Sequence, residues 1–497
     1  MILKQFPEKQ TFLELSRTSN VIPVCTEILA DMDTPVSILQ KFYSRDKANF
    51  LLESVEGGER WARYSFMGLS AFGSIKVFSN NVEIKTLDET KTINHHGAPL
   101  DVIRDFSKGF KPSQISELPR FWSGFTGYLT YEMVSFFEDI PVSLPDGMPY
   151  AHFIIPDEMI IFDNVKQTLT CLKICYLNDG SDAEKIFNQA GVALEEMLAT
   201  IHTPYSALKQ DQMIDEVRIE SEVPAHLYIK NVEIIKEHII EGDIFQAVLS
   251  QPFSCSTTVD PILVYRAQRY INPSPYMFFM NFIDFTIAGS SPETMVRLEN
   301  GIATLRPIAG TKPRGKTEQE DRKLADELLN DEKERAEHVM LIDLGRNDLG
   351  RVAEPGTVQV TDTMVIERYS HVMHLVSNIT CDLKKGKDAY DLFKATFPAG
   401  TLSGAPKIRA MEIISELEHT PRRVYGGAAG YISFTGNMDF AITIRTAVME
   451  NGKLTVQAGA GIVYDSNPEK ELMECKNKAK SVETALRLAL GSHGGGR

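Results

Sequence analysis

The chain has 497 residues, 43% of them hydrophobic and 24% charged, and 52 Lys+Arg against 67 Asp+Glu give a net charge of −15. Such a length requires two domains or one large composite fold, and the composition excludes a disordered, collagenous or coiled-coil protein. The acidity argues against nucleic-acid binding, no apolar run approaches the roughly 20 residues that span a bilayer, and the first residues lack a secretory pattern, so a soluble cytoplasmic protein is expected.

Along the chain, residues 1–203 read as short strands broken by turns, among them 75–78, 82–85, 159–162 and 168–176, with helices near 34–42 and 183–200. Residues 204–223 are mixed and polar and are read as a linker between an N-terminal domain (1–203) and a second domain (224–491). From Pro224 the pattern predicts a helix to 241, a strand at 247–253 and a helix at 261–270. Strands are then expected at 277–282, 286–290 and 295–299, followed by one long polar helix over 317–344 and further helices at 405–418 and 468–488. Strand pairs separated by short turns dominate, so the fold class is α+β with largely antiparallel sheets. The six cysteines form no C-x-x-C pair, and none sits in the Gly-x-Cys-x-Gly elbow of a glutamine-cleaving subunit.

Two helices in the second half repeat one acidic spacing, Glu334-x-x-Glu337 and Glu471-x-x-Glu474. Residues three apart share a helix face, so each pair can aim both carboxylates at one point, an oxygen-rich environment suited to Mg²⁺. Either pair alone also reads as the solvated face of a charged helix. Glycine-rich turns at Arg306–Thr311, Pro398–Lys407 and Gln457–Gly461 let backbone N–H groups approach an anion, but none ends as a nucleotide loop does. His371 and His374 lie three apart in an apolar setting, without the companions of a zinc site. Arg445, a lone cation in an expected strand, either pairs structurally or forks onto a carboxylate.

In order, Ser291-Pro-Glu293, Arg306–Thr311, Ala336–Gly350, Gly400–Lys407 and Ile442–Thr446 resemble the signatures of the chorismate-utilising enzymes, and within them those of the large subunits of anthranilate synthase (component I). The resemblance covers nearly the whole chain and is strongest from Asp243 to Lys480. It implies antiparallel sheets packed as a sandwich with outer helices, and an N-terminal part that contributes regulation. It implies further that Glu337 and Glu474 hold Mg²⁺ directly, with Glu334 and Glu471 acting through its waters. Gly310, Thr311, Tyr425, Arg445 and the Gly459-Ala460-Gly461 backbone would hold chorismate, with Thr401 completing the pocket for the ring carboxylate. Glu293 would be the general acid and His374 the base that takes the ring proton.

Two positions sort the family. Isochorismate and salicylate synthases carry lysine where this chain has Gln246, and aminodeoxychorismate synthases carry lysine where it has Ala309. A chain with neither has ammonia as its natural nucleophile and anthranilate with pyruvate as its products, the ammonia coming from glutamine through a glutamine amidotransferase subunit (component II). Leu51–Ser54 and Asn272–Met277 resemble the family's tryptophan-inhibition motifs, so Ser54, Pro275, Tyr276 and Met277 would contact the inhibitor L-tryptophan, with Arg63 on its carboxylate. The alternatives are the two sister activities and, from a different class, a non-catalytic tryptophan or chorismate sensor.

Overall fold

Apolar runs rather than strict alternation mark the central strands. Gly124–Leu129, Thr286–Ser291 and Ala428–Ser433 are buried at every residue, which requires cover on both faces. The computed structural model describes residues 1–54, 63–204, 217–369 and 372–491, and its strands supply that cover by forming two antiparallel layers.

The first layer runs Ile2–Phe6, Val21–Leu29, Thr168–Tyr176, Ala151–Asp163, Tyr64–Val77, Asn49–Glu53 and Tyr276–Asn281. It continues through Thr286–Ser291, Thr446–Glu450 and Lys453–Ile462 to Gln246–Ser256. The second leaves from the same long strand Ala151–Asp163 through Gly124–Leu129, Ala428–Ser433, Met438–Ile442, Thr294–Glu299 and Ile302–Leu305 to Val372–Asp382. Ile308–Pro313 and Gln359–Arg368 complete it, both on Val372–Asp382.

Between the layers lies an aromatic core that includes Phe50, Phe66, Tyr128, Phe278 and Tyr431. Helices cover the outer faces. Ala183–Ile201, Ala225–Glu241, Pro261–Ile271, Lys407–Leu417 and Pro468–Ala489 pack on the first layer, and Pro99–Ser107, Glu332–Gly350 and Ala389–Thr396 on the second. This is the expected α+β sandwich. The first 203 residues and the rest share its sheets, since Leu52 pairs with Phe278 and Thr126 with Tyr431. Of the expected linker, residues 205–216 lie outside the described residues. Among the described residues, no helix is long and apolar enough to cross a membrane.

Two expectations for helices are corrected. The single helix over 317–344 is two, Glu318–Asn330 and Glu332–Gly350. Asp331 breaks it: its backbone is extended, and its side chain accepts from the N–H groups of Lys333 and Glu334, both at 3.1 Å. A carboxylate that competes for backbone donors favours a cap over a helix interior. Similarly, the helix expected from 405 begins at Lys407, because Gly404 and Ala405 pair with Gln246 and Ala247 as a short strand.

Asp331 starts the helix that carries Glu334 and Glu337. Asp331→Ala should therefore cost about 1 kcal/mol of stability, read as a lower urea midpoint at unchanged slope; an unchanged midpoint would mean that the cap is not needed.

Candidate active site

At one end of the sandwich, a cavity of about 510 Å³ lies between the Glu332–Gly350 and Pro468–Ala489 helices and the strand ends beneath them. It opens into a vestibule of about 790 Å³ that shares Pro292, Thr311, His374, Arg445, Glu474 and Lys478 with it. The strand Lys453–Ile462 supplies one wall of the cavity. Gln457, Gly459 and Gly461 line the cavity, whereas the side chain of Ala460 turns away into the core. Gly459 keeps space open, since a Cβ there would stand 2.7 Å from the Tyr425 hydroxyl oxygen.

Glu293 and Thr401 meet across the cavity floor. Thr401, in the tight turn Gly400–Leu402, donates from Oγ1 to Glu293 Oε2 at 2.9 Å. Burial pushes the Glu293 carboxyl above its ordinary value, against the opposing effects of Thr401, Arg445 and Lys478. His374 sits beside Thr311 on paired strands. Its Nδ1 lies 3.1 Å from the Gly310 carbonyl and 3.0 Å from Thr311 Oγ1. A carbonyl only accepts, so Nδ1 carries the proton and Nε2 is left as the base. Burial holds this imidazole below its ordinary pKa. Gly310 adopts φ +63°, and a Cβ there would stand 2.9 Å from Glu334 Oε2, so glycine is required at this junction.

Arg445 is not inside a strand as expected. It occupies a left-handed position, φ +50°, between Met438–Ile442 and Thr446–Glu450. Its carbonyl accepts from Ser290 N and Gln268 Nε2, and its guanidinium reaches Asn272 Oδ1 at 3.5 Å. Burial lowers its pKa, while Glu293 acts in the opposite direction.

Glu334, Glu337, Glu471 and Glu474 all line the cavity. Burial, and then a like-charged neighbour, push two of them upward: Glu334 feels Glu337, and Glu471 feels Glu474, against a hydrogen bond from Ser466. Glu474 pairs with Lys478 at 2.8 Å. Four carboxylates from two helices lining one cavity form a hard, oxygen-rich donor set, which fits Mg²⁺. No three of the four bring ligand atoms within 4.8 Å of one another; among the described residues only His238, Glu241 and Asp243 do, and there Asp243 already binds Arg409.

Of the residues expected to contact an inhibitor, Ser54, Pro275, Tyr276 and Met277 line a second, smaller cavity. Arg63 does not; it pairs with Asp163 at 2.9 Å. Tyr276 donates to Asp439 Oδ1 at 2.9 Å and lies 3.1 Å from Thr294 Oγ1, next in sequence to Glu293. His371 lies outside the described residues.

Residues 50–484 match the family model described as chorismate binding enzyme. The chain belongs to that family. It is 44% identical over 488 residues to anthranilate synthase component 1 of Acetivibrio thermocellus, covering 96% of this chain and 97% of that one. To the component 1 of Acinetobacter calcoaceticus it is 47% identical, covering 95% and 96%. The crystal structure of anthranilate synthase component I from Streptococcus pneumoniae superposes with a TM-score of 0.76 at 37% identity, over 92% of this chain and 98% of that one.

Three residues of this chorismate-binding chain were missed in the sequence. Lys478 pairs with Glu474 and donates to the Gly459 carbonyl at 2.8 Å; its signal was the i+4 spacing from Glu474. Gln457 lines the cavity with Gly459 and Gly461, and its signal was its place at the start of that glycine-rich segment. Asn272 meets Arg445 only through the fold, so no local signal existed.

Glu337→Gln and Glu474→Gln should each weaken Mg²⁺ binding by about tenfold or more with the fold intact, as read by calorimetric titration. Unchanged affinity in both would remove these carboxylates from the ion's ligands.

Proposed function

We propose that this chain is the chorismate-binding component of an anthranilate synthase, converting chorismate and ammonia to anthranilate and pyruvate. The observation that supports the reading is one cavity that gathers a half-buried acid, an imidazole, an arginine and four carboxylates, with Gln246 and Ala309 in its lining where the sister activities carry lysine. The alanine offers no nucleophile and the glutamine is a poor base, so ammonia is the reagent that needs no activation.

Chorismate presents two carboxylates, a ring hydroxyl and an enolpyruvyl ether. Arg445 would fork onto the pyruvyl carboxylate, with Tyr425 and the glycine backbone of 459 and 461 shaping the space beside it. Glu337 and Glu474 would hold Mg²⁺, with Glu334 and Glu471 reaching it through water; the ion would supply positive charge to the ring carboxylate. Thr311 and Gly310 orient His374, and Thr401 orients Glu293. Glu293, whose carboxyl burial shifts towards the protonated form, would give its proton to the departing ring hydroxyl as ammonia adds at the ring carbon next to the carboxylate. The Nε2 of His374 takes the ring proton as pyruvate leaves and the ring becomes aromatic.

The chain has no Gly-x-Cys-x-Gly elbow, so its ammonia would come from glutamine through a glutamine amidotransferase subunit, component II. Tryptophan in the cavity of Ser54, Pro275, Tyr276 and Met277 would act as a feedback inhibitor by favouring an arrangement that binds chorismate less well. On this reading the reaction belongs to tryptophan biosynthesis and the protein would act in the cytoplasm.

Incubating the purified chain with chorismate, Mg²⁺ and ammonium should yield anthranilate and pyruvate, identified by mass, while glutamine in place of ammonium yields neither. Isochorismate or aminodeoxychorismate as the main product would overturn the reading.

The pH profile follows from the two buried groups. Protonation of His374 removes the base, so activity falls on the acid side, at a pH below the ordinary imidazole range. Ionisation of Glu293 removes the acid, so activity falls on the alkaline side, at a pH above the ordinary carboxylate range. Thr401→Val deletes a hydrogen bond that favours the ionised carboxyl and should move the alkaline limb to higher pH; movement the other way would contradict the role of Glu293 as acid.

Ser54→Phe should relieve inhibition by tryptophan while keeping most of the uninhibited rate. Unchanged inhibition would exclude Ser54 from the regulatory cavity.

A further inference from the structure

We propose that Arg422, held by its buried ion pair with Glu418, is a positioning residue for the acid–base site, fixing the turn that presents Thr401 to Glu293. The inference rests on the reading of Glu293 as the acid.

Neither Arg422 nor Glu418 lines the catalytic cavity, yet their hydrogen bonds end on segments that do. The two side chains are 2% and 7% exposed. Arg422 forks onto Glu418, Nε to Oε2 and Nη2 to Oε1, both at 2.7 Å. Its remaining donors leave the pair. Nη1 donates to the Leu402 carbonyl at 2.6 Å, and Nη2 to the Val248 carbonyl at 2.7 Å. Leu402 follows Thr401 in the Gly400–Leu402 turn, and both Leu402 and Val248 line the cavity. One planar cation therefore ties the turn and the strand Gln246–Ser256 to a single point.

Glu418 extends the same tie. Its Oε1 accepts from Ser250 N at 2.7 Å and from Ser250 Oγ at 2.9 Å, and Ser250 Oγ accepts from Gln457 Nε2 at 2.8 Å. From the N-terminal half, Glu132 Oε1 accepts the backbone N–H groups of Arg422 and Arg423 at 2.6 and 3.2 Å. The guanidinium also lies 4.4 Å from the ring centre of Tyr131 and 5.7 Å from that of Tyr425.

The chemistry requires arginine. Four acceptors lie around a flat group, and a guanidinium offers five N–H donors in a fixed plane, whereas an ammonium offers three on a tetrahedral head. Arg422→Lys keeps the charge and loses the geometry, so the turn bearing Thr401 is no longer pinned. Reacting groups misplaced by about 1 Å cost roughly 100-fold in rate. The effect on Glu293 has a defined sign. The Thr401 hydroxyl favours the ionised carboxyl, so loosening it leaves Glu293 protonated to higher pH. Arg445, Lys478 and Tyr425 also face Glu293, and of these only Tyr425 touches Arg422.

The test is the pH dependence of kcat and kcat/KM with chorismate, Mg²⁺ and ammonium for the parent, Arg422→Lys, Glu418→Gln, Thr401→Val and the Arg422→Lys/Thr401→Val double variant. Arg422→Lys should lower kcat by roughly tenfold to 100-fold with a smaller change in KM, and should move the alkaline limb upward, as Thr401→Val does. In the Thr401→Val background it should add no further shift. The position of a limb does not depend on how much protein is folded, so partial misfolding cannot hide the result, and Glu418→Gln reads the same tie from its other end if Arg422→Lys does not accumulate. A limb that stays in place in both Arg422→Lys and Glu418→Gln, or one that shifts again in the double variant, would overturn the proposal. A parent profile with no alkaline limb would instead overturn the reading of Glu293 as the acid.

Discussion

Negative charge crowded into one cavity is the constraint on which the rest of this site depends. Glu293, Glu334, Glu337, Glu471 and Glu474 face the same space, against the cations Lys333, Arg445 and Lys478. Like charges in a partly dry site cannot all stay ionised without a counter-charge. The carboxylates differ in environment. Glu293, half-buried on the floor with its carboxylate accepting from the Thr401 hydroxyl, is shifted towards its neutral form by burial. The two helical pairs, nearer the rim, form an oxygen-rich set that a divalent cation would complete. For a dianionic substrate, such a cation and Arg445 would supply the opposing charge.

The fold delivers these groups from far apart in sequence with little local freedom. One carboxylate pair rides on a helix started by Asp331, the other on a helix capped by Asn467, whose side chain accepts from Lys470 N. The floor comes from strand ends and glycine turns, where backbone carbonyls set the positions of His374 and Arg445. The N-terminal half takes part directly: its strand Asn49–Glu53 pairs beside Tyr276–Asn281, and its Glu132 holds the backbone of Arg422. A cavity lined by Ser54 and Tyr276 is thus built by both halves, and Tyr276 reaches Thr294, next to the acid. Tyr276 therefore links that cavity to the segment that carries Glu293.

The sequence made some of this legible and hid the rest for physical reasons. Thr168–Tyr176 and Pro261–Ile271 were readable because period and capping signals agreed with the tertiary structure. The break at Asp331 was hidden because helical residues flank it on both sides, and only the competition of its own carboxylate for backbone donors ends the first helix. Arg445 was placed in a strand because Ile442, Ile444 and Ala447 surround it with strand-like neighbours, while the left-handed turn is imposed by pairing on either side. The acidic spacings announced Glu334, Glu337, Glu471 and Glu474, but no spacing announces that the two helices face one another. Arg63 was tied to the second cavity by family resemblance alone, and Asp163, a hundred residues away, claims it instead. Arg422 sits in an unremarkable Arg-Arg pair; its role exists only because Glu418, Leu402 and Val248 converge on it.

Diffraction from crystals soaked in Mn²⁺ and chorismate, recorded at the manganese absorption edge, tests the charge argument most directly. The account predicts one anomalous peak between Glu337 and Glu474, with substrate density reaching from it to Arg445. A peak at His238, Glu241 and Asp243 instead, or chorismate bound with no ion beside those two glutamates, would contradict it.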